Sequence, residues 1–363
     1  VEHKFRLRKQ DKNMNVDKIQ FGLDTFGDIP RDTNGHTLSE AEALRQVVRE
    51  AELADQLGID IFAVGEHHRE EYAISAPEVV LAGIATRTER IKLSSAVTVL
   101  SSDDPVRVFQ RFSTVDALSN GRAQVIIGRG SFTESFPLFG YDLTDYDELF
   151  EEKAAMFSEI IKEQPLSWQG NKTQTINNLQ IYPRTESGHL DTWEGIGGSP
   201  ESIIRAARYG FKVMIAIIGG NPERFKPYME LYHRAAAQLN MPEYPIGIHS
   251  HGVIAEDDAK AFNIAWNNIK PSFDKIGEQR GWAPFSHERF AGEVQDGSMY
   301  VGSPETVARR IANTILTLGI ERFDLVYGAG TQSAEERLQT IELYGKVVIP
   351  RVRELLKEAQ NEH

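Results

Sequence analysis

Eight short apolar runs, each followed by a longer amphipathic segment, constrain this chain more than any other feature. The runs are Ile19–Thr25, Ile61–Val64, Ile91–Leu100, Ala123–Gly128, Trp193–Gly197, Val213–Ile217, Ile246–Ala255 and Phe323–Tyr327. Runs with little in–out alternation belong to strands covered on both faces, and helices between them supply the cover. The first helix starts at Ser39, whose hydroxyl suits an N-cap, with Glu40 and Glu42 at the positive end of the dipole and Gly58 as its stop. Further helices are expected near 77–88, from Pro105, over 145–162, 201–209 and 222–239, from Asp257, and over 334–356. Eight strand–helix units favour a closed (β/α)8 TIM barrel of the α/β class over an open doubly wound sheet. Gln164–Leu190 and Ile276–Tyr300 break the rhythm, so the barrel carries long insertions after strands four and seven. The expected organisation is a mobile, charged N-terminal arm at 1–15 and one barrel domain over 16–363.

The charge balance narrows the partners. A net charge of −13 repels nucleic acid and anionic membrane, so neither is expected, and a phosphate-bearing ligand needs a locally built positive site. The chain has no cysteine, which removes disulfides, thiolate nucleophiles and cysteine-ligated metals and fits a cytoplasmic protein. No run approaches the roughly 20 apolar residues of a membrane span.

In a barrel the chemistry sits at the C-terminal ends of the strands. After strand two stands Gly65-Glu66-His67-His68, and a histidine there can give or take a proton near neutral pH. The bland reading is a polar loop in water. A metal is not expected, because adjacent histidines on extended chain diverge and His249 and His251 form only an incomplete set with them. After strand four, Gly128-Arg129-Gly130 offers a guanidinium fork between two residues that let backbone approach a ligand. After strand five, Gly197-Gly198-Ser199-Pro200 opens a helix whose exposed N–H groups suit an anion, although an ordinary Ser-capped start explains it equally. Gly302-Ser303-Pro304-Glu305 opens another helix in the same way. Gly195-Ile196-Gly197 is not a dinucleotide fingerprint, since Pro200 stands at its sixth position and no acidic residue follows at the right distance.

Taken in order, these segments resemble the bacterial luciferase-like flavin monooxygenases, closest to the luciferase α-subunit type. Val64–His68, Ser95–Leu100, Asp116–Arg122, Gly128–Gly130, Gly197–Pro200, Tyr300–Glu305 and Val348–Pro350 carry the resemblance, from about Ile19 to Leu356. It implies a TIM barrel that binds reduced FMN and uses O2 as co-substrate through a flavin peroxide, acting on a small organic substrate. It implies that His67 is the catalytic histidine beside the flavin and that Arg129 grips its phosphate. It implies that Gly198 and Ser199 form the phosphate-binding turn, and that Ala96–Val97 is a non-proline cis peptide under the ring. A separate flavin reductase as FMNH2 supplier and a homodimer follow from the same pattern. The departures are Asp104 where the family often has a histidine before Pro105, and Gly128 where luciferase has a cysteine. Light emission and a long-chain aldehyde substrate therefore do not carry over. The alternatives are an F420-dependent oxidoreductase on the same barrel, a flavin-binding homologue without catalysis, and a metal-dependent hydrolase.

Overall fold

The structure, a computed structural model, describes residues 14–361. The arm expected at 1–15 therefore lies outside the described residues, apart from Met14 and Asn15. The strands are β1 (Gln20–Thr25), β2 (Ile61–Val64), β3 (Lys92–Ser95), β4 (Thr98–Val99), β5 (Gln124–Gly128), β6 (Leu166–Trp168), β7 (Ile176–Leu179), β8 (Asp191–Ile196), β9 (Lys212–Ala216), β10 (Ile246–Ile254), β11 (Tyr300–Gly302) and β12 (Arg322–Val326). The helices are α1 (Glu40–Gln56), α2 (Pro77–Ala85), α3 (Pro105–Leu118), α4 (Ser135–Phe139), α5 (Tyr146–Ile160), α6 (Pro200–Tyr209), α7 (Lys226–Gln238), α8 (Asp258–Arg280), α9 (His287–Gln295), α10 (Pro304–Leu318), α11 (Ala334–Leu343) and α12 (Ile349–Asn361).

Nine parallel strands run in the order β3-β2-β1-β12-β10-β9-β8-β5-β4. β3 and β4 are two halves of one interrupted strand, so the staves number eight. Leu93 of β3 bridges Ala123 just before β5, which brings the two ends of the sheet together. The result is a nearly closed barrel wrapped by helices, as the strand–helix alternation predicts. Local chemistry sets the frame: Ser39 and Glu42 form a capping box on α1, and Asp104 caps α3 ahead of Pro105.

Two layers of core hold it. Phe21, Leu23, Val125 and Ile248 are fully buried members of the cluster that packs strands against helices. Inside the barrel, Ala63, Ala96, Ile126, Trp193 and Met214 form a smaller cluster. Beside it the fully buried Arg322 donates to Asp324 at 2.6 Å and lies 4.8 Å from the Trp193 ring. A Cβ on Gly22 would fall 2.2 Å from the Asp324 carboxylate, so glycine there makes room for the pair.

Four expected elements differ. The third strand is broken at Ala96–Val97, a cis peptide. The long loop expected at 164–190 contains the antiparallel β6–β7 hairpin, and the stretch 276–300 holds the end of α8 and all of α9. The last helix is divided by a π turn at Tyr344–Val348. Tyr344 and Val348 stay buried there, and Gly345 lies so close to Leu57 that a Cβ would fall 2.9 Å from it.

Candidate active site at the barrel mouth

Strand ends meet at one cavity of about 370 Å³. Phe26 follows β1, His67 follows β2, Ala96–Val97 breaks the third stave, and Arg129 follows β5. His249 and His251 reach it from one face of β10, and Phe273, Ile276 and Trp282 cover it from α8 and the residues after. The floor is shaped by close approaches to the Ala96–Val97 step. A Cβ on Gly65 would lie 2.7 Å from the Ala96 carbonyl oxygen, and Cβ atoms on Gly128 and Gly195 would meet Val97 at 2.7 and 2.6 Å. A Cβ on Gly197 would meet nothing within 4 Å, which leaves that side open for a flat ligand.

His67 stands in an aromatic box, with ring centroids 4.9 Å from Phe26, 4.4 Å from Tyr72 and 5.3 Å from Phe132. Its backbone N–H is fixed to the Ile74 carbonyl at 2.9 Å. Burial pushes its pKa down to about 3, so the imidazole is neutral at physiological pH. Its Nδ1 is buried and has no hydrogen-bond partner among the described residues. The neighbouring His68 lines the same cavity but is tied up: its Nε2 lies 2.8 Å from Glu66, whose other oxygen accepts from the Val99 N–H at 2.8 Å.

Arg129 lies at the junction of this cavity with a second, of about 870 Å³. Its Nη1 donates to Asp147 at 3.0 Å and its guanidinium lies 5.6 Å from the Tyr146 ring. Ser199, Ser202 and Arg205 line the second cavity with it. Ser199 caps α6, accepting from the Ser202 N–H at 3.2 Å. Gly198 has φ +101°, a backbone that L side chains rarely adopt, and a Cβ there would lie 3.1 Å from Phe225. His67, Ala96, Val97 and Arg129 therefore share the first cavity, and Arg129 and Ser199 share the second. Gly198 shapes the turn between Gly197, on the first cavity, and Ser199.

Sequence reasoning passed over Phe26, Tyr72 and Phe132, because loop aromatics carry no periodic signal. It also passed over Asp24, whose one signal was a carboxylate in the apolar run of β1.

A family model described as luciferase-like monooxygenase matches residues 25–322. The N-acetyl-S-alkylcysteine monooxygenase of Bacillus subtilis is 30% identical over 243 residues, covering 65% of this chain and 70% of that protein. The alkanal monooxygenase alpha chain of Photobacterium leiognathi is 24% identical over 341 residues, covering 87% and 95%. The uncharacterized protein y4wF of Sinorhizobium fredii is 31% identical over 198 residues, and the chain spans 56% of its length. Among solved structures, the monooxygenase RslO1 of Streptomyces bottropensis superposes with a TM-score of 0.78 at 23% identity, over 92% of this chain and 99% of that one. The oxygenating constituent of 3,6-diketocamphane monooxygenase from Pseudomonas putida, in complex with FMN, gives 0.72 at 19% identity over the same shares. The F420-dependent tetrahydromethanopterin reductase of Methanopyrus kandleri gives 0.68 at 18%, again over those shares. Among the described residues no helix is long and apolar enough to cross a membrane.

Proposed function

The chain belongs to the luciferase-like monooxygenase family, and from that premise we propose that it is an FMNH2-dependent monooxygenase that acts with O2 on a small organic substrate and receives its reduced flavin from a separate reductase. The observation that carries this reading is the junction at Arg129. A largely apolar cavity with a glycine side leads there to a guanidinium and a Ser-capped helix N-terminus, which suits an aromatic ring system on a chain ending in one phosphate.

FMN is favoured over F420 by what lies beyond that junction. Asp147, Glu148, Glu151 and Glu152 line the second cavity against Arg129, Lys172 and Arg205. Such a surface accepts a single phosphate at Arg129 and repels the longer polyanionic tail of a deazaflavin.

Reduced FMN, when bound, supplies the electrons that activate oxygen. The chain's own residues do the rest. Arg129 keeps N–H groups beyond the one given to Asp147 for the phosphate, and Ser199 and the first turn of α6 add neutral donors. Ala96 and Val97, where the third stave breaks, would form the floor for the flavin ring. Phe26, Phe273 and Ile276 line the cavity with apolar surface that limits water. His67, neutral and boxed by aromatic rings, holds or accepts one proton at Nδ1 next to the ring. His67→Ala should lower oxygen-dependent turnover on the order of 10²–10⁴ while flavin affinity holds, the usual scale for a lost acid–base group. Stopped-flow turnover equal to that of the unsubstituted protein would remove His67 from this role.

A further inference from the structure

His67 leaves a second histidine at the same cavity unexplained. His249 stands on β10, and its Nδ1 lies 2.7 Å from Oδ2 of Asp24 on β1. β12 separates those two strands, so this bond crosses a stave inside the barrel. Asp24 is fully buried, and its Oδ1 has no partner among the described residues. His249 is 8% exposed, and what it exposes faces the cavity. With Nδ1 committed to the carboxylate, Nε2 is the nitrogen left for a ligand.

The wall between the two histidines is the Phe26 ring, whose centroid is 4.9 Å from His67 and 6.2 Å from His249. The two imidazoles are therefore separate stations along one apolar slot, and Phe273 and Ile276 of α8 close its far side. A carboxylate at Nδ1 fixes the tautomer with its proton there, aims Nε2 outward as a base and stabilises the imidazolium once it forms. His251, two residues along the same face, has no carboxylate partner among the described residues, and burial pushes its pKa down to about 3. The carboxylate-backed imidazole of this wall is thus His249.

We propose that Asp24 and His249 form an acid–base dyad that takes the proton of an acidic O–H, on an aromatic or enolic carbon, in an apolar unsaturated substrate seated between Phe26 and α8. This rests on the reading of the cavity as a monooxygenase site. In the step the substrate O–H bond breaks, its electron pair stays on oxygen, and an N–H bond forms at Nε2 of His249. Asp24 remains a carboxylate and faces the new imidazolium. The substrate becomes an electron-rich oxyanion, the form prepared to accept an oxygen atom at a neighbouring carbon. Aliphatic substrates without such an O–H would have no use for the dyad.

The surrounding charges are compatible with this role. Burial raises the Asp24 pKa to about 6, so above that pH the carboxylate is present. The charged groups facing it are Asp28, beyond the end of β1, and Asp324 and Arg322 on β12, which neutralise each other at 2.6 Å. His251 is the titratable neighbour of His249 on its own strand.

The test uses 4-nitrophenol, whose absorbance reports its ionisation, titrated across pH with the FMN-loaded full chain. Flavin binding is followed by fluorescence in the same samples. The bound probe should ionise about one pH unit or more below the free probe, as expected next to a group that becomes cationic. His249→Gln should abolish the shift, and Asp24→Asn, which leaves the cavity wall intact, should reduce it; both variants are checked by thermal melting. Absence of probe binding, an unshifted ionisation, or a shift that survives in His249→Gln would overturn the dyad. A shift that depends on His249 in a chain that fails to bind flavin would keep the dyad and sink the cofactor reading instead.

Discussion

Two helices of this barrel open with the same four residues, and what stands opposite them differs. α6 begins Gly198-Ser199-Pro200-Glu201 and α10 begins Gly302-Ser303-Pro304-Glu305. Both serines cap their helices, Ser199 accepting from the Ser202 N–H at 3.2 Å and Ser303 from the Thr306 N–H at 3.5 Å. At α10 the chain fills its own anion seat: Asp258 accepts from the Ser303 N–H at 2.6 Å and from the Thr306 hydroxyl at 3.1 Å. At α6 a guanidinium, Arg129, shares a cavity with Ser199 and Ser202. The motif specifies a helix start. On the proposed reading, what turns that start into a phosphate site is a residue about 70 positions away in sequence, delivered by the parallel pairing of β5 with β8.

That contrast can be broken by substitution. The largest effect belongs to Arg129→Ala, which should weaken FMN binding by about 1.5–3 kcal/mol, the worth of a charged hydrogen bond. Equal affinity in a fluorescence titration would place the phosphate elsewhere and erase the difference between the helices. Ser199→Ala comes next: FMN affinity should fall by about 0.5–1.5 kcal/mol, and thermal unfolding should register a lost cap worth about 1 kcal/mol. A stability loss with unchanged affinity would reduce Ser199 to a cap. Ser303→Ala should show the smallest functional effect. It should cost about 1 kcal/mol of stability by the same capping argument and leave the flavin titration unchanged; weaker flavin binding there would mean the two starts do not divide as described.

The same distinction governs what could be read from the sequence. The barrel was legible because most of its strands are apolar on both faces, and runs such as Ile61–Val64 and Val213–Ile217 have no other economical use. The placement of His67 and Arg129 at the barrel mouth was legible because barrel topology gives meaning to the residue after a strand. Their surroundings were not. The box around His67 draws Phe26, Tyr72 and Phe132 from three separate loops, and no local pattern announces that they converge. The partnership of Asp24 with His249 spans 225 positions. A carboxylate in an apolar strand signals that a partner exists without naming it. In the π turn of the last helix Gly345 packs close to Leu57, a contact that helix periodicity cannot express.

The central claim is that the cavity at the barrel mouth binds reduced FMN, with its phosphate at Arg129 and the start of α6. The most direct measurement is an anaerobic titration of the full chain with FMNH2, followed by admission of oxygen with its uptake recorded. Saturable binding of FMNH2, binding weakened by about 1.5–3 kcal/mol in Arg129→Ala, and oxygen consumption by the bound complex are the expected results. An absence of FMNH2 binding under conditions where the chain is folded would contradict it and leave the barrel in search of a different cofactor.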